Sequence, residues 1–247
     1  MTTITPCLIE TPADITASYE AAISENPANS PNTSSGRNKR SIGKHTKYWA
    51  PGRKLKIAIS DYDDGGFEIV KNAIKQWLPY VNLTFEFVEL VDDEDLYEGD
   101  IRIYLSRLYN GTGRSALGTD ARATPATEPT LLLGTNYTSI GYEALVIHEF
   151  GHALGLTHEH QHPDATIPWN RENTYQLYKQ NFGWSKETVD KNLFPLPRNS
   201  DQTYTAYDRH SIMHYQVLNI CTIGDWEQPE NHQLSAGDKA FARQIYP

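Results

Sequence analysis

The segment His148-Glu149-Phe150-Gly151-His152 constrains this chain more than any other. On an α-helix, positions i and i+4 sit one above the other on the same face. Two imidazoles so placed can reach one metal ion, at about 2.0–2.1 Å from each nitrogen. A catalytic zinc ion needs a third protein ligand and an open position. His158 follows at the right offset, but a straight helix would carry it away. Gly155 answers this, because glycine adopts φ > 0 and ends a helix sharply. The whole string reads H-E-x-x-H-x-x-G-x-x-H. It makes His148, His152 and His158 the candidate ligands of one catalytic zinc ion. Glu149, beside the first ligand, is the candidate general base. It would take a proton from a metal-activated water and pass it to the leaving amine. The reaction implied is hydrolysis of an internal peptide bond.

The rest of the chain sets bounds. Its 247 residues are 38% hydrophobic and 21% charged, enough for a core of useful size. The net charge of −9 argues against nucleic acid as a partner, since phosphate-binding surfaces need clustered Lys and Arg. No window holds eighteen apolar residues, so no membrane span is expected. The opening residues MTTITPCLIE lack a basic n-region followed by an apolar run. The expectation is secretion or export without a recognisable signal peptide, with a cytoplasmic location left open. Protein or peptide substrates and a monomer are expected. Two cysteines, Cys7 and Cys221, allow at most one internal disulfide.

Residues 1–47 are rich in Thr, Ser, Asn and Pro and show little periodicity. They read as a loosely ordered leader or propeptide ending in a linker. The catalytic domain is expected over 48–247. Strands are expected at 55–60, 83–90, 101–105 and 131–133, from their alternation or short apolar runs. Val70, Ala73, Ile74 and Trp77 give helical spacing over 67–78, with Pro79 as the stop. Further helices are expected at 140–156, 170–182, 185–193 and 235–246, the last opened by a capping box of Ser235 and Asp238. The order implies an α+β domain.

The extended zinc string resembles that of the metzincin metallopeptidases, and Ser211-Ile212-Met213-His214-Tyr215 resembles their Met-turn. Within that clan, SIMHY and HEFGHALGLTHEHQHPD are most similar to the astacin family. The resemblance implies a catalytic domain with a twisted mixed sheet, an active-site helix, a Met-turn and a C-terminal helix. It implies that Met213 lies beneath the metal as an apolar floor. It also implies that Tyr215 binds the metal or swings away to donate to the developing oxyanion, a role its hydroxyl suits. His214 is expected to pack or cap locally. Two departures stand out. Family members carry two disulfides in this domain, and Cys221 is the only cysteine after residue 7. Their acidic preference depends on an Arg after the Met-turn, and from Gln216 to Asp238 there is no Lys or Arg. Asp225, Glu227 and Glu230 make that segment acidic, so acidic residues just after the cleaved bond should be disfavoured.

Several weaker signals carry two readings each. Glu159 matches a family residue that meets a new N-terminus after processing, or is a solvent-facing loop carboxylate. Arg37–Arg40 is a processing site or a charged linker. His160 and His162 read as loop histidines. Asp61, Asp63, Asp64 and Asp92–Asp95 could hold calcium, but match no EF-hand spacing and read better as turn acids. Cys7 and Asp14 could each occupy the open zinc position and silence the enzyme. Astacins use a propeptide carboxylate for this, while other metzincins use a cysteine. Alternatively the leader is disordered, with Cys7 a bystander or paired to Cys221. The rival for the whole chain is a zinc-stabilised binding module without turnover, or a metzincin of another family. Glu149 discriminates, because a purely structural site has no use for a base.

Overall fold

The computed structural model describes residues 7–30, 45–61, 65–90, 98–198 and 204–247. Arg37–Arg40, Asp63, Asp64 and Asp92–Asp95 lie outside them. The chain divides into two compact units. The first comprises Met1–Thr157, Asp201–Thr203 and Lys239–Pro247, and the second His158–Ser200 and Tyr204–Asp238.

The first unit is built on a mixed sheet. Its strands are β1 (Cys7–Glu10), β2 (Lys54–Asp61), β3 (Thr84–Leu90), β4 (Ile101–Leu105), β5 (Gly113–Ala116) and β6 (Leu131–Leu133). They lie in the order β1-β5-β6-β4-β2-β3, and only the β5–β6 pair is antiparallel. β2 is interior to the sheet, and Leu55, Ile57, Ala58 and Ile59 are all fully buried. A strand covered on both faces reads as an apolar run. Helices α1 (Ile15–Glu25), α2 (Phe67–Ile74) and α3 (Tyr142–Ala153) complete this layer. α3 packs on α2 and β5 and is buried almost all round, from Tyr142 through Ala153.

The α+β class and the strands expected at 55–60, 83–90, 101–105 and 131–133 are present within a residue or so. Three elements were not anticipated. β1 and α1 lie in the segment that composition marked as loose, and β5 is too short and too rich in small residues to show a pattern. The helix expected over 67–78 is α-helical only to Ile74 and tightens to a 3₁₀ turn over Lys75–Tyr80. Pro79 explains this, since it lacks an N–H and disfavours α geometry at the residue before it.

In the second unit, α4 (Arg171–Phe182) and α5 (Lys186–Leu193) begin at side-chain caps. Asn170 Oδ1 accepts from Asn173 N, and Ser185 Oγ from Thr188 N. The last helix, α6 (Ala236–Ile245), opens with the reciprocal box anticipated from sequence. Ser235 N donates to Asp238 Oδ2 and Asp238 N to Ser235 Oγ. No helix among the described residues is long and apolar enough to cross a membrane.

The C-terminal end of α3 is fixed by aromatic donors. The last carbonyls of a helix lack partners within it. Trp49 Nε1 donates to Ala153 O at 2.8 Å, and Tyr246 Oη to Leu154 O at 2.6 Å. Both aromatic residues are buried. Tyr246→Phe should leave the Leu154 carbonyl buried without that partner, destabilising by about 1–3 kcal/mol. Thermal unfolding should then fall by roughly 2–4 °C per kcal/mol. An unchanged midpoint would remove the hydroxyl from the account of how α3 ends.

Candidate metal centre

α3 ends in a Schellman arrangement. Leu156 N donates to Gly151 O at 3.0 Å and Gly155 N to His152 O at 2.8 Å. Gly155 sits at φ +91°, the left-handed region that its sequence position called for. The chain leaves the helix there and reaches His158 three residues on.

Within the first unit, Cys7, His148 and His152 each offer one ligand atom, and these atoms lie within 4.8 Å of one another. All three residues are buried, as is His158 at the start of the second unit. Imidazoles and a thiol are donors that suit zinc. The His152 ring is oriented from behind. Its Nδ1 lies 2.7 Å from Leu156 O. A carbonyl only accepts, so Nδ1 carries the proton and Nε2 is the nitrogen left with a lone pair. The His148 and His152 rings stand edge to face, 4.8 Å between centroids.

Glu149 is fully buried. Burial pushes its pKa up to about 8, and the side chain of Cys7 pulls in the opposite direction. Its carboxylate fits because Gly113 has no side chain. A Cβ at Gly113 would lie 2.2 Å from Glu149 Oε1. Gly113 is also the residue paired with Cys7 in the β1–β5 register. Neither Gly113 nor this pairing was legible in the sequence, where β1 and β5 gave no signal.

Asp14, the other leader group considered for the metal, is elsewhere. It caps α1, with its Oδ1 accepting from Thr16 N and Ala17 N. Cys7 and Cys221 are not joined in a disulfide.

In the second unit the Ser211–Tyr215 turn is held by one carboxylate. Asp238 accepts from Ser211 Oγ at 2.6 Å and from Ile212 N at 2.8 Å, besides its partner in the capping box. Burial raises its pKa in spite of these donors. The sequence marked Asp238 as a cap, and its grip on the turn is additional. Met213 is buried, and its carbonyl accepts from Glu159 N at 3.0 Å. Tyr215 is buried, with its ring 4.4 Å from that of His158. His214 caps locally, as expected. Its Nδ1 contacts Tyr215 O and its Nε2 contacts Tyr207 Oη. Burial lowers its pKa to about 4.

Glu159 is not the solvent-facing carboxylate of one reading. Its Oε1 accepts from Asp208 N at 2.8 Å, and burial pushes its pKa up to about 7. His162 is engaged locally, with Nε2 against Thr205 O and Nδ1 accepting from Asp164 N. His160 is fully buried against Tyr215. The segment after the turn has no basic residue of its own, yet it is not without a cation. Arg209 donates to Gln228 Oε1 and Glu227 O and lies over the Trp226 ring. Sequence distance hid this, because the arginine precedes the turn.

The family model for astacin, a peptidase family, matches residues 42–226. The chain is 28% identical over 184 residues to nematocyst expressed protein 6 of Nematostella vectensis, covering 73% of this chain and 55% of that protein. It is 24% identical over 222 residues to bone morphogenetic protein 1 of Xenopus laevis, covering 83% of this chain and 28% of that protein. The chain thus spans about half the length of the first relative and far less of the second. Among solved structures it is similar to myroilysin, with 36% identity and a TM-score of 0.73 over 81% of this chain and 96% of that one. The hatching enzyme HCE-1, a zinc-protease of Oryzias latipes, shares the fold at 20% identity and a TM-score of 0.50, over 81% and 94% of the two chains.

His152→Ala should lose zinc, because two imidazoles hold the ion poorly. His162→Ala should keep close to one equivalent, since its nitrogens serve the loop. Metal analysis of the two purified variants decides between them; zinc lost with His162 and kept without His152 would reverse the assignment.

Proposed function

The chain belongs to the astacin family of peptidases, and we propose that it is a zinc-dependent endopeptidase that cleaves internal peptide bonds of proteins. The single observation that carries this reading is the buried pair His148 and His152 on α3 beside the buried carboxylate of Glu149, with the helix stopped at Gly155 three residues ahead of His158. In this proposal the three histidines hold one zinc ion. When bound, zinc polarises the scissile carbonyl and lowers the pKa of a coordinated water to about 7. The protein's part is to move protons and to orient. Glu149 Oε1 or Oε2 accepts a proton and later delivers it to the leaving nitrogen. Burial alone raises its pKa. A dication at the histidines would lower that pKa again. Tyr215 Oη donates to the oxygen on which charge develops. Its packing against His158 supports this role. Action on proteins outside the producing cell belongs to the same proposal, in keeping with a relative named for a nematocyst.

Cys7 adds latency. A zinc ion with four protein ligands is closed, and a thiol among the histidines and against Glu149 would stand where water and base must meet. The leader that bears it is anchored. β1 pairs with β5 in parallel, and Glu25 in α1 accepts from Arg53 Nη1 at 2.8 Å and Arg122 Nη1 at 2.6 Å. Of the two blocking groups weighed from sequence, Cys7 is the one we propose, because Asp14 is engaged as a cap.

The same thiol favours one rival. A closed set that includes a cysteine is also what a structural zinc site uses. Cys7→Ala separates the two. Latency predicts more turnover than the unaltered full chain, with zinc close to one equivalent. A structural site predicts weaker zinc binding and no gain. Glu149→Gln, made in the same active form, should keep zinc and fold while losing about 10²–10⁴-fold in kcat. Full activity there would mean that another group is the base.

A further inference from the structure

His160 has no role in the reading above, although it is fully buried and in ring contact with Tyr215. A buried imidazole is often a satisfied core histidine, so its contacts decide the matter. Its Nε2 lies 2.9 Å from Asn192 O. A carbonyl only accepts, so Nε2 carries the proton and the ring plane is tied to that bond. Asn192 lies in the last turn of α5, whose carbonyls lack helical partners. The next residue docks on the same helix end. Gln161 Nε2 donates to Lys191 O at 2.7 Å, and Leu196 N donates to Gln161 O at 2.9 Å. The short turn Glu159–Gln161 is therefore fastened to the end of α5.

On that base the His160 ring lies against Tyr215. Their centroids are 4.2 Å apart and the planes differ by 22°, a stacked pair. By contrast, the His158–Tyr215 contact is tilted by 58° and that of His160 with His214 is edge-on. A tyrosine ring swings about two torsions, and a flat neighbour in parallel contact restricts both. The backbone beneath it is fixed separately, through the Asp238 clamp on Ser211 and Ile212.

We propose that His160 is a positioning residue, which holds the ring of Tyr215 in a stack and so sets where its hydroxyl points. This rests on the reading of Tyr215 as the oxyanion donor. The two features of the imidazole have separate duties: the N–H anchors the ring to α5, and the flat face meets the tyrosine. Variants can therefore divide them. His160→Phe keeps a flat ring and loses the donor. His160→Gln keeps a donor and loses the ring.

The experiment uses the full chain carrying Cys7→Ala, with both variants made in the Tyr215 and the Tyr215→Phe backgrounds. With Tyr215 present, His160→Gln should lower kcat about 2–10-fold, the loss of one aromatic stack. His160→Phe should lower it less, with KM little changed and zinc close to one equivalent in both. With Tyr215→Phe, neither variant should lower kcat further. Equal losses in the two backgrounds, or a larger loss for His160→Phe than for His160→Gln, would overturn the proposal. A second readout does not depend on turnover. With ¹³C-labelled tyrosine, the Tyr215 ring signal is the one missing from Tyr215→Phe. His160→Gln should shift it, because the neighbouring ring current is gone. An unmoved signal would overturn the stack itself. Should Tyr215→Phe alone leave kcat unchanged, Tyr215 would leave the mechanism and take the catalytic consequence with it. The labelled spectrum would still report whether His160 holds the ring.

Discussion

At Gly155 the backbone turns to φ +91°, and a Cβ there would lie 2.9 Å from the Tyr48 ring and 3.1 Å from Lys47 O. Both the turn and the close approach exclude other residues. This stop matters because one helix can align two histidines, and a third must come from chain that has left the helix. Ending a helix inside a protein exposes carbonyls that need partners. Trp49 and Tyr246 supply them. One stands just before β2 and the other follows α6, so two distant stretches of the first unit are drawn to the point where α3 stops. The zinc string is therefore more than a ligand list. It sets a backbone problem, and distant aromatic residues complete its solution.

The other side of the centre depends on an absent side chain. Gly113 leaves room for the Glu149 carboxylate and, in the same strand register, stands opposite Cys7. A residue with a Cβ would push on the carboxylate. One glycine thus permits both the buried carboxylate and the strand that brings a thiol against it. The burial that raises the Glu149 pKa follows from the same crowding.

What could be read from the sequence was what is local and periodic. The H-E-x-x-H spacing, the Gly155 stop, the apolar alternation of β2 and the capping box of Ser235 and Asp238 each lie within a few residues, and each appears in the structure. What could not be read depends on partners far along the chain. α1 buries Ser18, Ala22 and Glu25. Their helical spacing carries no apolar stripe, so periodicity marks nothing. The pairing of Glu25 with Arg53 and Arg122, and of Ser18 with Asp120, makes that face worth burying. β1 spans four residues and acquires meaning only beside β5. Arg209 reaches Glu227 and Gln228 from ahead of the turn, so a window over the following segment saw acids alone. His160 was classed with loop histidines because nothing in the sequence shows that its ring meets Tyr215.

The leader's contacts also bear on whether it can leave. Its buried face is small and polar, unlike the Leu and Ile of the sheet interior. Two of its polar contacts fall on groups that have other partners. Arg53, which binds Glu25, also binds Asp100 through Nη2. Asp120, which accepts from Ser18, also pairs with Lys47. Departure of α1 would therefore leave Arg53 and Asp120 each still paired, while Glu25 would pass to water. A buried charge stripped of its only partner is costly, and the pairing at Arg53 and Asp120 avoids that cost on the side that remains. An apolar core gives no such return, because its exposed surface would stay exposed. On the proposal that Cys7 silences the enzyme, the thiol needs no great strength of its own. It is presented at high effective concentration by a strand and helix, and it is withdrawn when they are.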